Sequence, residues 1–178
     1  MPPDRPEVCV FAPALYTTVT IEAGGDDFDE IHLHPGGQGF WVARMIRELG
    51  RRPLLCGPVG GETGRVIRGL VPEWGIDLSP VRIEANSPTY VHDRRGGERV
   101  EVARSPAPVL DRHEVDDLYG KVMQHSVGAG VCVLTGRASE EAFPVDLFRR
   151  LGADLGQAGV TLVADLHGEE LEALLGGG

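Results

Sequence analysis

Positive charge is scarce in this sequence. Lys and Arg number 17 against 27 Asp and Glu, a net charge of −10 at pH 7. That sign argues against a nonspecific binder of nucleic acid or of anionic membranes, which need a basic surface. It leaves room for a local basic pocket that holds a phosphate. Cysteine is also sparse. Cys9, Cys56 and Cys132 each sit in an apolar, strand-like run. Their odd number and their spacing match no metal motif, so they read as buried free thiols in a reducing compartment. No apolar run approaches a membrane span, and the opening MPPDRPEV has no apolar signal region. The protein therefore reads as cytoplasmic. There is no Gly-x-Ser-x-Gly, and no cysteine has a basic neighbour suited to activate it. His32 and His34 share a strand face but have no third ligand at a metal spacing, so no metal site is expected. Internal repeats are absent, and the only low-complexity tract is the terminal Gly176-Gly177-Gly178.

What is present is glycine placed before helical periodicity. A chain of 178 residues with 42% hydrophobic and 25% charged content suggests one globular domain, residues 1–178. The first glycine turn is Pro35-Gly36-Gly37-Gln38-Gly39, followed by Val42, Met45, Ile46 and Leu49 at helical spacing and then Gly50. Such a turn lets a bound group approach the backbone and offers free N–H groups at a helix start. A tight strand-to-helix turn that binds nothing accounts for it equally well. The second turn is Gly57-Pro58-Val59-Gly60-Gly61-Glu62-Thr63-Gly64, leading into a helix whose buried face is Ile67, Leu70, Val71 and Trp74. Here turn chemistry and helix entry are the favoured explanation.

Residues 1–6 are a polar, Pro-rich lead-in. Strands are expected at Val8 to Phe11, Thr17 to Glu22, Glu30 to His34, Pro53 to Cys56, Leu78 to Ile83, Thr89 to Asp93, Arg99 to Ala103, Val131 to Leu134 and Val160 to Ala164. Thr89 to Ala103 reads as a hairpin. Asp111, with Glu114 three residues on, resembles a capping box that opens a helix to about His125. Helices are also expected after Pro144 and over Glu169 to Leu175. The strand–helix–strand units demand parallel pairing. The fold class is therefore α/β: a doubly wound, mainly parallel sheet with helices on both faces, plus a small β-sheet from residues 17–34 and 78–103. Gly176-Gly177-Gly178 follows a strand and one short helix, where such a sheet would normally continue. The C-terminal part of the fold is expected to lie outside the chain.

Five segments in order resemble the N-terminal portion of the PfkB (ribokinase-like) carbohydrate kinases, and most closely the 1-phosphofructokinase and tagatose-6-phosphate kinase branch. Val10-Phe11-Ala12-Pro13-Ala14-Leu15 is similar to that branch's strand ending in Asn-Pro-Ala-Leu-Asp. Pro35 to Ala43 resembles its PGGKGxNVA motif, and Val59 to Gly64 its xGGDTG segment. Val133-Leu134-Thr135-Gly136 and Val163 to Gly168 resemble its VLSGS and VxDTSG strand ends. The resemblance implies transfer of the ATP γ-phosphate, with Mg²⁺, to a hydroxyl of a sugar, a sugar phosphate or a related small molecule. It also implies that the small sheet is a lid over the sugar and the surface of a homodimer.

The family's catalytic base lies in a GAGD motif, and none occurs here, so no catalytic residue is assigned. The resemblance maps the substrate pocket onto Tyr16, Gly36, Gly37, Gln38 and Trp41. Three of these depart from the pattern: Tyr16 replaces an aspartate, Gln38 a lysine and Trp41 an asparagine. Ser87-Pro88-Thr89 stands where that branch has an arginine for the substrate phosphate. Tyr16 and Trp41 would offer flat apolar faces to a ring, although Trp41 also suits a core role beside its apolar stripe. Arg137 could return a positive charge to the strand ends, or it could be a solvated arginine at a helix start. Asp165, at the C-terminal end of a strand, suits a ligand site or the N-cap of the next helix. The expectation is a sugar kinase whose substrate-binding part this chain supplies. The alternative is a non-catalytic ligand-binding or interaction protein on the same fold. A dinucleotide-binding reading is weak, because Gly-x-Gly-x-x-Gly spacing is missing.

Overall fold

Cys9, Val10 and Phe11 have no exposed surface, so the strand they form, β1 (Val8–Phe11), must be covered on both faces. A computed structural model, which describes residues 5–177, supplies that cover. In chain order β1 is followed by β2 (Tyr16–Ala23), β3 (Asp29–Gly36), α1 (Gln38–Glu48), β4 (Pro53–Gly60), α2 (Gly61–Glu73) and β5 (Asp77–Ile83). Then come β6 (Thr89–Asp93), β7 (Val100–Arg104), α3 (Arg112–Ala129), β8 (Val131–Thr135), α4 (Asp146–Gln157), β9 (Thr161–Asp165) and α5 (Gly168–Leu175). Of the lead-in expected over residues 1–6, residues 1–4 lie outside the described residues, as does the last of the three terminal glycines.

A five-stranded parallel sheet runs in the order β5-β4-β1-β8-β9. The chain winds outward from β1 through β4 and β5, then returns to the other side of β1 for β8 and β9. The order therefore reverses between β1 and β8, and a crevice at the C-terminal strand ends is expected there. On one face Val10, Leu55 and Val59 pack with Phe40, Ala43, Ile67 and Val71 of α1 and α2. On the other, Phe11 and Leu134 pack with Leu118, Val122, Phe148 and Leu151 of α3 and α4. Cys9, Cys56 and Cys132 are free thiols inside these layers, and burial pushes the Cys56 thiol up. Among the described residues no helix is long and apolar enough to cross a membrane.

The second sheet runs β3-β2-β6-β7 and is mixed. β2 pairs antiparallel with β3 and parallel with β6, and β6–β7 is the expected hairpin, with a register shift at Val91/His92. The parallel pair arises because β6 arrives by a long connection and not by a tight turn.

Four expectations need correction. Residues 77–83 do not join the small sheet. They form the edge of the parallel one, where Val81 and Ile83 reach the core. Gly57 to Gly60 are not a turn but the second half of β4, all buried. A Cβ on Gly57 would lie 2.1 Å from the Ala12 carbonyl oxygen, so the glycine permits a close backbone approach. The turn proper narrows to Gly61, at φ 64°. Trp74 is not in a buried helix face, being 39% exposed. Finally, α3 runs past His125 to Ala129, where Gly130 in a left-handed conformation stops it; its start carries the expected capping box of Asp111 and Glu114.

Candidate functional site

The first turn of α1 lies where β1, β8 and β9 end. β3 continues to Gly36, and Gly37 turns the chain into the helix at φ 110°, accessible to glycine. A Cβ on Gly37 would stand 1.9 Å from the Ala14 carbonyl oxygen, and one on Gly36 would stand 2.3 Å from the Tyr16 ring. The protein itself fills the space these two glycines leave.

Gln38 then joins three elements. Its Nε2 donates to the Asp165 carbonyl at 3.2 Å, and its Oε1 accepts from the Gly136 N–H at 3.1 Å. The amide thereby ties the start of α1 to the ends of β8 and β9. Below it lies a pocket of about 90 Å³, lined by Gln38, Gly136, Asp165, Leu166, His167 and Glu170. Asp165 is exposed and does not cap α5, whose N-cap is His167. Arg137 is neither solvated nor free. Its side chain is 3% exposed and pairs with Glu170 at 2.9 Å and with Glu169. Its Nη1 donates to the carbonyls of Glu140 and Phe143, each at 2.8 Å. Burial alone would lower its pKa, but the hydrogen bonds to Glu170 and Glu169 raise it overall.

A larger cleft, about 460 Å³, opens on the small sheet. Alternation puts Tyr16, Thr18, Thr20 and Glu22 on one face of β2, opposite Gly36, His34, His32 and Glu30 of β3. Tyr16 packs on Tyr90 (ring centroids 4.6 Å apart), and Tyr90 stacks on His92. Trp41 and Trp74 form a second wall, and Arg44 lies over both rings, at 5.3 and 4.4 Å. Trp41 is 47% exposed, which rules out the core role. Arg94 pairs with Glu22 at 3.2 Å. Arg99 has a ring nitrogen of His92 at 3.1 Å. Burial lowers the pKa of His34 and His92, and the nearby Arg99 lowers both further, which disfavours their charged forms.

The candidates thus divide. Tyr16 and Trp41 line the cleft with Arg94 and Arg99. Gln38 and Asp165 line the strand-end pocket, and Gly36 and Gly37 lie between. Ser87, in the segment that stands in for the branch's arginine, is buried and accepts from the Gly60 N–H at 3.1 Å, a structural task. Sequence reasoning missed Arg99, Thr18, Thr20 and Glu170. The two threonines were visible as one face of an alternating strand. Glu170 carried no signal, since a second glutamate at a helix start reads as surface.

The sequence profile of the pfkB family carbohydrate kinases matches residues 7–112, more than half of the chain. ATP-dependent 6-phosphofructokinase isozyme 2 of Escherichia coli (strain K12) is 27% identical over 145 residues, covering 80% of this chain and 46% of that protein. Two solved structures share the fold. A point mutant of phosphofructokinase-2 from Escherichia coli superposes with a TM-score of 0.80 at 21% identity, over 95% of this chain and 57% of its own. A possible 1-phosphofructokinase from Thermotoga maritima gives 0.81 at 17% identity, over 96% and 57%. The chain therefore spans about half the length of the proteins it matches. Its sheet order, its glycine entry to α1 and the profile match agree: the chain belongs to the pfkB family of carbohydrate kinases.

Proposed function

We propose that this chain is the substrate-binding portion of an ATP-dependent sugar kinase. The observation that supports this most is the position of the α1 entry. One turn of helix, Gln38 to Trp41, borders both the strand-end pocket and the cleft of the small sheet. A sugar held there would have hydroxyl-bearing Thr18 and Thr20 on one side and the flat faces of Tyr16 and Trp41 on another. Phosphoryl transfer depends on positioning the acceptor hydroxyl and on stabilising the transferred group. This chain supplies the first, through residues on rigid strands and a helix. No GAGD occurs in the sequence, so the second is not assigned to it. Among the described residues no three His, Cys, Asp or Glu are grouped to bind a metal; Mg²⁺ in such reactions is commonly held by one or two carboxylates and the substrate phosphates.

The small sheet serves as lid and, in this reading, as the face of a homodimer. Ile31 and Leu33 stand 62% and 48% exposed on β3, and Val100 is 54% exposed on β7.

The test is calorimetric titration of the chain with D-fructose, D-ribose and D-fructose 6-phosphate, followed by assay of ATP consumption. Saturable binding of at least one of them without ATP turnover by the chain alone is expected. Absence of binding to all three would sink the reading.

A further inference from the structure

We propose that Glu170 holds substrate: its free carboxylate oxygen accepts hydroxyl hydrogens from a polyol edge seated at the ends of β8 and β9. The inference rests on the sugar-kinase reading and adds a contact that reading does not contain.

Glu170 is 6% exposed. Its Oε1 accepts from both the backbone N–H and the Nε–H of Arg137, at 3.0 and 2.9 Å. Its Oε2 is buried and has no partner among the described residues. Leaving a charged acceptor buried and unmet is costly, because the lost hydration is not replaced. Glu170 lines the 90 Å³ pocket. Gly136 is its neighbour on the pocket wall, and the missing side chain leaves space beside it: a Cβ there would stand 2.8 Å from Oε2.

The rest of the wall indicates what would satisfy it. Gln38 Oε1 accepts one N–H, from Gly136, and an amide oxygen can take two. The Asp165 carboxylate is exposed at the rim. Beside the His167 ring, which carries an N–H, the remaining polar groups of this wall are acceptors, so a hydroxyl donor is better suited than a phosphate or carboxylate. The volume equals roughly three waters, at about 30 Å³ each, which admits a pair of hydroxyls but not a whole ring. The Arg137 clamp fixes the carboxylate in advance, so little ordering is needed on binding.

Three full-length variants of the 178-residue chain test this by the same titrations, with thermal unfolding as a check on folding. Glu170→Gln keeps the shape and can still accept from Arg137, but turns an N–H₂ toward the pocket. Glu169→Gln loosens the same clamp and leaves Oε2 in place. Gly136→Ala fills the space before Oε2. Glu170→Gln and Gly136→Ala should weaken sugar binding by about tenfold to a hundredfold, the effect of losing one charged hydrogen bond. Glu169→Gln should stay within about twofold of wild type, a difference below that of a full hydrogen bond. Wild-type binding with unchanged affinity in Glu170→Gln would overturn the inference and leave the sugar reading standing. Equal weakening in Glu169→Gln and Glu170→Gln would also overturn it, since the clamp alone would then matter. No binding by wild type would overturn both.

Discussion

Removing Arg137 should cost this fold more than removing any other charged residue at the strand ends. In Arg137→Ala, Glu170, whose side chain is 8% exposed, is left without its counterion. The carbonyls of Glu140 and Phe143 lose their 2.8 Å donors, and the Phe143 ring loses the guanidinium 5.9 Å from its centre. Breaking one side of a buried ion pair typically destabilises by about 3–5 kcal/mol. The second partner, Glu169, is 55% exposed, and its pair adds about 0–1 kcal/mol after screening. Against a total stability of about 5–15 kcal/mol this is about a fifth or more. At about 2–4 °C per kcal/mol for a chain of this size, the melting temperature should fall by about 6–20 °C. Urea unfolding followed by circular dichroism should show a lower midpoint at an unchanged slope. The double variant Arg137→Met with Glu170→Leu should recover much of the loss, because it removes both charges and keeps volume. A loss under about 1 kcal/mol, the size of a surface pair, would refute the reasoning, and so would a double variant no more stable than the single.

Further consequences can be measured in the same way. Asp111→Ala removes the side-chain acceptor for the Glu114 N–H (2.8 Å) and should lower stability by about 1 kcal/mol in urea titration. Gly37→Ala meets both a left-handed backbone and the Ala14 carbonyl, and should exceed the usual strain of about 1–3 kcal/mol, whereas Gly50→Ala, at φ 77° with open space around it, should stay near the bottom of that range. His34 and His92 have pKa values below the ordinary histidine range, so in the pH window just below about 6.5 the unfolded chain binds protons first. The stability they contribute is full above that window and declines as the pH falls through their folded values. The melting temperature should drop as the pH falls below about 6.5, and the drop should shrink in His34→Gln with His92→Gln. An equal drop in the double variant would count against this assignment. Asp93, drawn down to about 2 by Arg95, loses its contribution only at more acidic pH, so the two effects separate.

The main architecture was legible because its signals are local. Short, bounded apolar runs such as Val8–Phe11 read as buried strands, and Asp111 with Glu114 reads as a helix start. The misreadings arose where a local signal had two tertiary outcomes. Gly57 and Gly60 read as a turn because glycine permits turns, but the same lack of a Cβ lets β4 run on beneath Ala12 and Ile83. The segment at 77–83 has strand composition, and nothing in it says which sheet it will join. Trp74 has the spacing of a core residue, but the helix ends there and Arg44 covers the ring from outside.

The site shows the same division between position and task. Gln38 could be placed by motif, and the loss of a cation there was visible. Its task was not, because that task depends on two backbone groups at positions 136 and 165, about a hundred residues and more downstream. A residue tied to both must donate and accept at once. An amide does this, while an ammonium group only donates. A lysine at 38 could reach the Asp165 carbonyl or a ligand but could not accept from Gly136. The exchange is thus a gain of structure as well as a loss of charge: the helix entry becomes anchored to β8 and β9 by the chain's own atoms. The positive charges nearby are engaged by the chain's own groups. Arg137 is taken by Glu169 and Glu170, and Arg94 by Glu22, which leaves Arg99, beside His92, as the cation of the cleft without a carboxylate partner among the described residues. On the proposed reading, the strand-end pocket takes hydroxyls, while ring faces and any role for substrate charge fall to the cleft of the small sheet.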